Sequence, residues 1–241
     1  IGFLPGRESL EILQEIAVLP GVQIEGIFTH LAEADIENSS FTVEQIRTFT
    51  AFVKELEGRG IDIPLKHCSN SAALINFPEA HFNMIRAGIV LYGLYPAPES
   101  RRDKLDIIPA MTLKSRISYV KTLPAGHSIS YGRTYYCEQD TRVATVPIGY
   151  ADGYSRLLSN RAWGVIKGKT VPLVGNVCMD MCMFDVTGVG EVKEGDEVIL
   201  FGRPEDGVTA DNLATAVGTI NYEVVSALGS RVPRVFKNGR I

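Results

Sequence analysis

The stretch His67-Cys68-Ser69-Asn70-Ser71 sets small hydroxyl and amide side chains directly after a short apolar run, and Arg86-Ala87-Gly88-Ile89 follows soon after. Hydroxyls and backbone N–H groups at a strand end are what an anion such as a phosphate requires. Asn70 and Ser71 open a helical segment, so Ser71 offers its hydroxyl where the first helical amides point, although either residue also suits a plain N-cap. Gly88 and Ile89 supply a second set of amides. Arg86 lies between Met84-Ile85 and Ala87-Gly88-Ile89-Val90, a setting in which a guanidinium needs a partner. A guanidinium donates without giving up its proton, so it holds a heteroaromatic nitrogen unprotonated, as a pyridine-type cofactor would use.

The elements that carry these residues alternate between strand and helix. Leu10, Leu13, Ile16 and Ala17 keep helical spacing up to Pro20-Gly21, and a strand is expected over 22–28. Thr42 and Gln45 form a capping box for the next helix, with Ile46, Phe49, Val53 and Leu56 on one face. A strand over 63–67, a helix over 72–75 and a strand over 89–94 complete the series. Such alternation predicts parallel β/α units, and in an eight-stranded barrel His30 and Ser71 belong to the C-terminal rim. Three or four strands do not close a barrel, so further N-terminal chain is expected; the opening Ile1-Gly2-Phe3, without methionine, agrees.

Beyond Pro96 the pattern changes. Segments such as "AMTLKSRISYVKTL", "TRVATVPIGY" and "DEVILFG" are strands broken by Gly, Pro and charged turns, with helices only at 209–218 and 221–228. The expected fold is therefore a partial α/β barrel over residues 1–100 and a mostly antiparallel β domain over 101–241, with the break between Pro96 and Pro109.

Composition narrows the function classes. The 241 residues are 45% hydrophobic and 22% charged, enough for one large or two medium cores. A formal net charge of −4 and scattered basic residues argue against a nucleic-acid partner. No apolar run reaches a membrane span and no leader pattern is present, so a cytoplasmic enzyme without membrane contact is expected. Cys178 and Cys182 are spaced as a metal pair, but they flank an alternating strand pattern with no second Cys/His pair nearby, so no metal is expected.

The segments "FTHLAEAD", "HCSNSAA", "MIRAGIVLYGLYP", "SISYGRTY", "VPIGYADGYSR", "GNVCMDM", "INYEV" and "RVPR" occur in this order. Together they closely resemble the pyridoxal phosphate-dependent alanine racemases over nearly the whole chain. The resemblance implies a barrel that carries pyridoxal 5'-phosphate and a β domain that closes the partner subunit's site, hence a homodimer with shared active sites. It implies that Ser71, Gly88 and Ile89, beside Asn70, hold the phosphate, that Arg86 faces the pyridine nitrogen and that His30 lies beside the ring. Tyr131 corresponds to the base opposite the cofactor lysine, Met179 and Asp180 to the substrate-carboxylate segment, and Tyr150 to the narrow mouth of the site.

The implied activity is interconversion of L- and D-alanine, supplying D-alanine for peptidoglycan. Removing an α-proton on one face and returning one on the other calls for two bases. His67, His81 and His127 are expected to be satisfied core histidines. The family's cofactor lysine lies before Ile1, and no lysine of this chain takes its place. Ser230 stands where many members carry a tyrosine, which suggests that serine is accepted beside alanine. The alternatives are a serine or broad-specificity racemase, a related decarboxylase, which the lack of a glycine cluster before Arg86 disfavours, or a non-catalytic cofactor-binding module of a larger protein.

Overall fold

A computed structural model describes residues 2–98, 100 and 102–237. The chain divides into two compact units, Ile1–Ile108 and Pro109–Ile241.

In the first unit, α1 (Arg7–Ala17), β1 (Gly26–Phe28), α2 (Ser40–Gly58), β2 (Leu65–His67) and α3 (Ser71–Asn76) follow in order. β1 and β2 are parallel, with Gly26 opposite Leu65 and Phe28 opposite His67. The amphipathic faces of α1 and α2 bury Leu10, Leu13 and Leu56 against Ile63. The other edge of α2 packs Ile46, Phe49 and Val53 on Leu31, Cys68, Ala73 and Phe77. Burial of such side chains contributes about 1.5–3 kcal/mol each and fixes where the strand ends emerge. Phe28 and Leu65 stay 57% and 41% exposed, whereas parallel strands ordinarily are covered on both faces.

Three sequence expectations are corrected here. The strand over 22–28 is confined to Gly26–Phe28. The segment 89–94 is a 3₁₀ turn over Ile89–Tyr92, closed by Gly93 at φ 71°. A short apolar run is equally compatible with strand and turn, and the glycine, which adopts positive φ without steric cost, decides it. The cap of α2 is Ser39, whose hydroxyl accepts from the Thr42 N–H at 3.1 Å, so Thr42 lies buried in the first turn. Gln45 is then free to accept from the Ala32 N–H at 3.0 Å, tying the loop after β1 to the helix.

The second unit is predominantly antiparallel. Strands β3 (Leu113–Arg116), β4 (Tyr119–Leu123), β5 (Ser128–Ile129), β6 (Tyr135–Tyr136), β7 (Thr141–Val146), β8 (Trp163–Ile166), β9 (Lys169–Pro172), β10 (Cys182–Asp185) and β11 (Glu197–Phe201) precede α4 (Ala210–Val217) and α5 (Asn221–Ser226). They form a sheet ordered β10-β7-β4, a sheet ordered β3-β11-β8-β9 and the β5-β6 hairpin. Period-two alternation buries Cys182 and Phe184 while Met183 and Asp185 stay half-buried. Thr209 caps α4, its hydroxyl accepting from the Asn212 N–H, and Gly218 at φ 75° ends it.

Candidate functional site

In the first unit the rim forms where β1 and β2 end. The Arg86 backbone N–H donates to the Ser69 carbonyl at 2.9 Å, which draws its segment against the end of β2. The guanidinium then donates to His67 Nδ1 at 2.7 Å, to the Thr29 carbonyl at 3.1 Å and to His30 Nδ1 at 3.2 Å. It also lies 5.1 Å from the centre of the Phe28 ring, which stacks on His67 at 5.2 Å. These acceptors are neutral, so they orient the cation without neutralising it and leave its charge available to a further acceptor.

Across the same rim, Asn70 caps α3: its Oδ1 accepts from the N–H groups of Ala72 and Ala73 at 3.1 and 3.0 Å. Those two amides are therefore taken. Ser71 Oγ accepts from the Gly88 N–H at 2.9 Å, which leaves the Ser71 hydroxyl proton free to reach another acceptor. Gly88 thus fixes Ser71, and Ile89 opens its 3₁₀ turn with an N–H that needs an acceptor outside the turn. Of these four residues, Asn70 and Gly88 spend their polar groups on α3 and on Ser71, whereas the Ser71 hydroxyl proton and the Ile89 N–H are not used by those bonds.

His67 was expected to be a mere core histidine. It is buried, but an arginine can only donate, so the contact with Arg86 requires Nδ1 to be the unprotonated acceptor and His67 to be neutral. Burial, reinforced by the Arg86 charge, lowers its pKa below the usual 6.5. The signal was the strand register: His67 ends β2 opposite Phe28, on the rim that carries Arg86. Because only the unfolded chain takes the proton just below 6.5, stability is intact above that pH and falls as pH drops towards the lowered folded value. Chemical denaturation between pH 7.5 and 5 should show a shallower loss in His67→Phe than in the parent. Identical slopes would contradict the assignment.

Cys68, Cys137, Cys178 and Cys182 are buried and unpaired, and burial pushes the Cys68 thiol up to about 11 and raises that of Cys182 as well.

In the second unit Tyr131, Tyr150 and Met179 are 76%, 42% and 60% exposed, and the segments that carry them are joined by hydrogen bonds. The Tyr150 and Ala151 N–H groups donate to the Cys178 and Met179 carbonyls at 3.1 and 2.9 Å, and Asn176 Nδ2 donates to the Tyr131 carbonyl at 2.7 Å. Asp152, fully buried, caps this junction by accepting from the Gly149 N–H at 3.0 Å and from Arg231 in a bidentate ion pair. The Arg231 hydrogen bond holds the Asp152 carboxyl below its usual range, against the opposing effect of burial. Asp180 adds to the negative field on Arg231. Sequence reasoning missed Asp152 and Arg231, although "YADGY" and "RVPR" contain them.

Comparison with known proteins gives the family. Residues 1–96 match the family model for the alanine racemase N-terminal domain, and residues 110–236 match that for the C-terminal domain. The chain belongs to the alanine racemase family. An alanine racemase of Clostridium perfringens is 49% identical over 239 residues, covering 98% of this chain and 62% of the relative. One from Desulforamulus reducens is 50% identical over 236 residues, covering 98% and 63%. Among solved structures, the alanine racemase of Clostridium difficile 630 in complex with cycloserine has a TM-score of 0.91 at 42% identity, covering 96% of this chain and 61% of that one. That of Bacillus anthracis with bound L-Ala-P has a TM-score of 0.91 at 36% identity, covering 100% and 62%.

The fold is thus that of alanine racemases, with part of a β/α barrel followed by an antiparallel β domain. The chain spans about 62% of the length of these alanine racemase relatives. Among the described residues no helix is long and apolar enough to cross a membrane. Ser230 is exposed in the turn after α5.

Proposed function

We propose that the protein carrying this chain is an alanine racemase that interconverts L- and D-alanine with pyridoxal 5'-phosphate. The observation that supports this best is the state of Arg86: a guanidinium held by neutral acceptors, with its charge unspent, across the rim from a hydroxyl and an amide that still seek an anion. That donor set suits a phosphorylated pyridine. Ser71 and Ile89 would take the phosphate with Asn70 and Gly88 behind them, Arg86 the ring nitrogen, and His30 the flank of the ring. When bound, the cofactor supplies an electron sink for the substrate's α-carbon.

This chain's own residues do the rest. Arg86 keeps its proton across the working pH range, so it would donate to a pyridine nitrogen without protonating it, which would restrain the electron sink and favour reprotonation over side reactions. Tyr131 moves the proton on the L face, Met179 and Asp180 place the substrate carboxylate, and Tyr150 narrows the mouth. The product would serve peptidoglycan synthesis.

We assign the two clusters to sites shared by a homodimer. The exposure of Tyr131, Met179 and Tyr150 on segments joined by hydrogen bonds supports this, because neighbouring exposed apolar groups mark contact surfaces. The barrel sheet, with Phe28 and Leu65 uncovered, is read as continued by the rest of the polypeptide.

The test is direct. The protein carrying this chain, supplied with pyridoxal 5'-phosphate, should convert L-alanine into an equimolar mixture of enantiomers as followed by chiral chromatography. Cofactor binding without D-alanine would instead mark a non-catalytic module.

A further inference from the structure

We infer that Asn176 is a positioning residue for Tyr131, setting where the phenol stands relative to the Met179 segment of its own loop. The inference rests on the reading of Tyr131 as the proton-transfer group. Tyr131 is 76% exposed, so its place is set by its backbone more than by packing around its ring.

That backbone is unusual. Ser130, directly before it, sits at φ 67° and ψ 178°, a region that glycine occupies freely and serine does not. Such a conformation persists only where the surroundings hold it. Ser130 Oγ donates to the Asn176 carbonyl at 2.6 Å, and Asn176 Nδ2 returns a bond to the Tyr131 carbonyl at 2.7 Å. A carbonyl can only accept, so the amide nitrogen must be the atom that faces it.

The loop is also pressed close. Gly175 has φ 78°, and a β-carbon there would lie 2.8 Å from the Ile129 carbonyl oxygen. Two hydrogen bonds in opposite directions therefore pin residues 130 and 131 to residue 176, which lies three positions before Met179 in the same loop. Side-chain amides bonded to backbone in this way tune geometry and carry no charge into the site. The consequence is kinetic: a small displacement of a proton-transfer group lowers turnover while leaving substrate binding nearly intact.

The experiment compares Asn176→Ala, Asn176→Asp and Ser130→Gly in the enzyme carrying this chain. Asn176→Ala should lower kcat about tenfold with KM changed less than about twofold. Asn176→Asp, which turns an acceptor towards a carbonyl, should lower it further. Primary isotope effects should rise with α-deuterated L-alanine and stay constant with the D-enantiomer, because only one of two bases is displaced. Hydrogen–deuterium exchange over 128–136 should quicken without change elsewhere in the β unit. Ser130→Gly tolerates the backbone conformation while losing the hydroxyl bond, so it should keep the thermal stability and still show the kinetic effect; it carries the test if the Asn176 variants do not fold. Unchanged kcat and exchange, or isotope effects that rise equally for both enantiomers, would overturn the inference. If Tyr131→Phe itself turns over normally, the underlying reading of Tyr131 fails instead.

Discussion

Tyr131→Phe will retain cofactor binding and lose racemisation by a factor of about 10² to 10⁴, the range associated with a general acid–base group. That corresponds to about 3–5 kcal/mol of lost transition-state stabilisation. The side chain is 76% exposed, so losing its hydroxyl should leave the thermal transition unmoved. The effect should appear in kcat and kcat/KM alike, because a group that acts only in the transition state contributes little to substrate binding. Near-normal turnover in this variant would remove Tyr131 from the mechanism.

Gly149→Ala will unfold the junction that brings Tyr150 to Met179. A β-carbon at Gly149 would overlap the backbone carbonyls of Cys178 and Met179, neither of which can yield, because they accept from the Tyr150 and Ala151 N–H groups. Gly149 has extended backbone angles, so close approach and not turn geometry demands glycine here. The expected cost is about 3 kcal/mol. For a unit of this size that lowers Tm by roughly 10 °C. Gly188→Ala is the control: nothing lies within 4 Å of its would-be β-carbon. Equal Tm values for the two variants would contradict the packing described.

Much of this was legible in residue types and spacing, for identifiable reasons. The amphipathic stripe of α2 and the Thr209 and Gly218 ends of α4 are local features that tertiary contacts do not overrule. The rim residues Ser71 and Arg86 stood out because polar groups in apolar settings need partners. What stayed hidden depended on contacts distant in sequence. Nothing local distinguishes Ser39 from Thr42 as the cap of α2, and the choice depends on which hydroxyl the packed helix leaves outside. His67 acts through Arg86, nineteen residues away, and Asp152 through Arg231, seventy-nine away. Asn176 reaches Tyr131 through a main-chain carbonyl, which every residue possesses, so no residue type announces the bond.

Arg86 of one subunit and Tyr131 of another are proposed to serve one site. Tyr131→Phe and Arg86→Glu are each to be measured alone, then mixed in equal amounts and allowed to exchange subunits. In a hybrid dimer with shared sites, one site carries both substitutions and the other carries neither, so about a quarter of all sites in the mixture should be intact. Racemisation should rise above that of the unmixed variants by about that fraction of the parent activity. No recovery after verified subunit exchange would show that each chain completes its own site, and would contradict it.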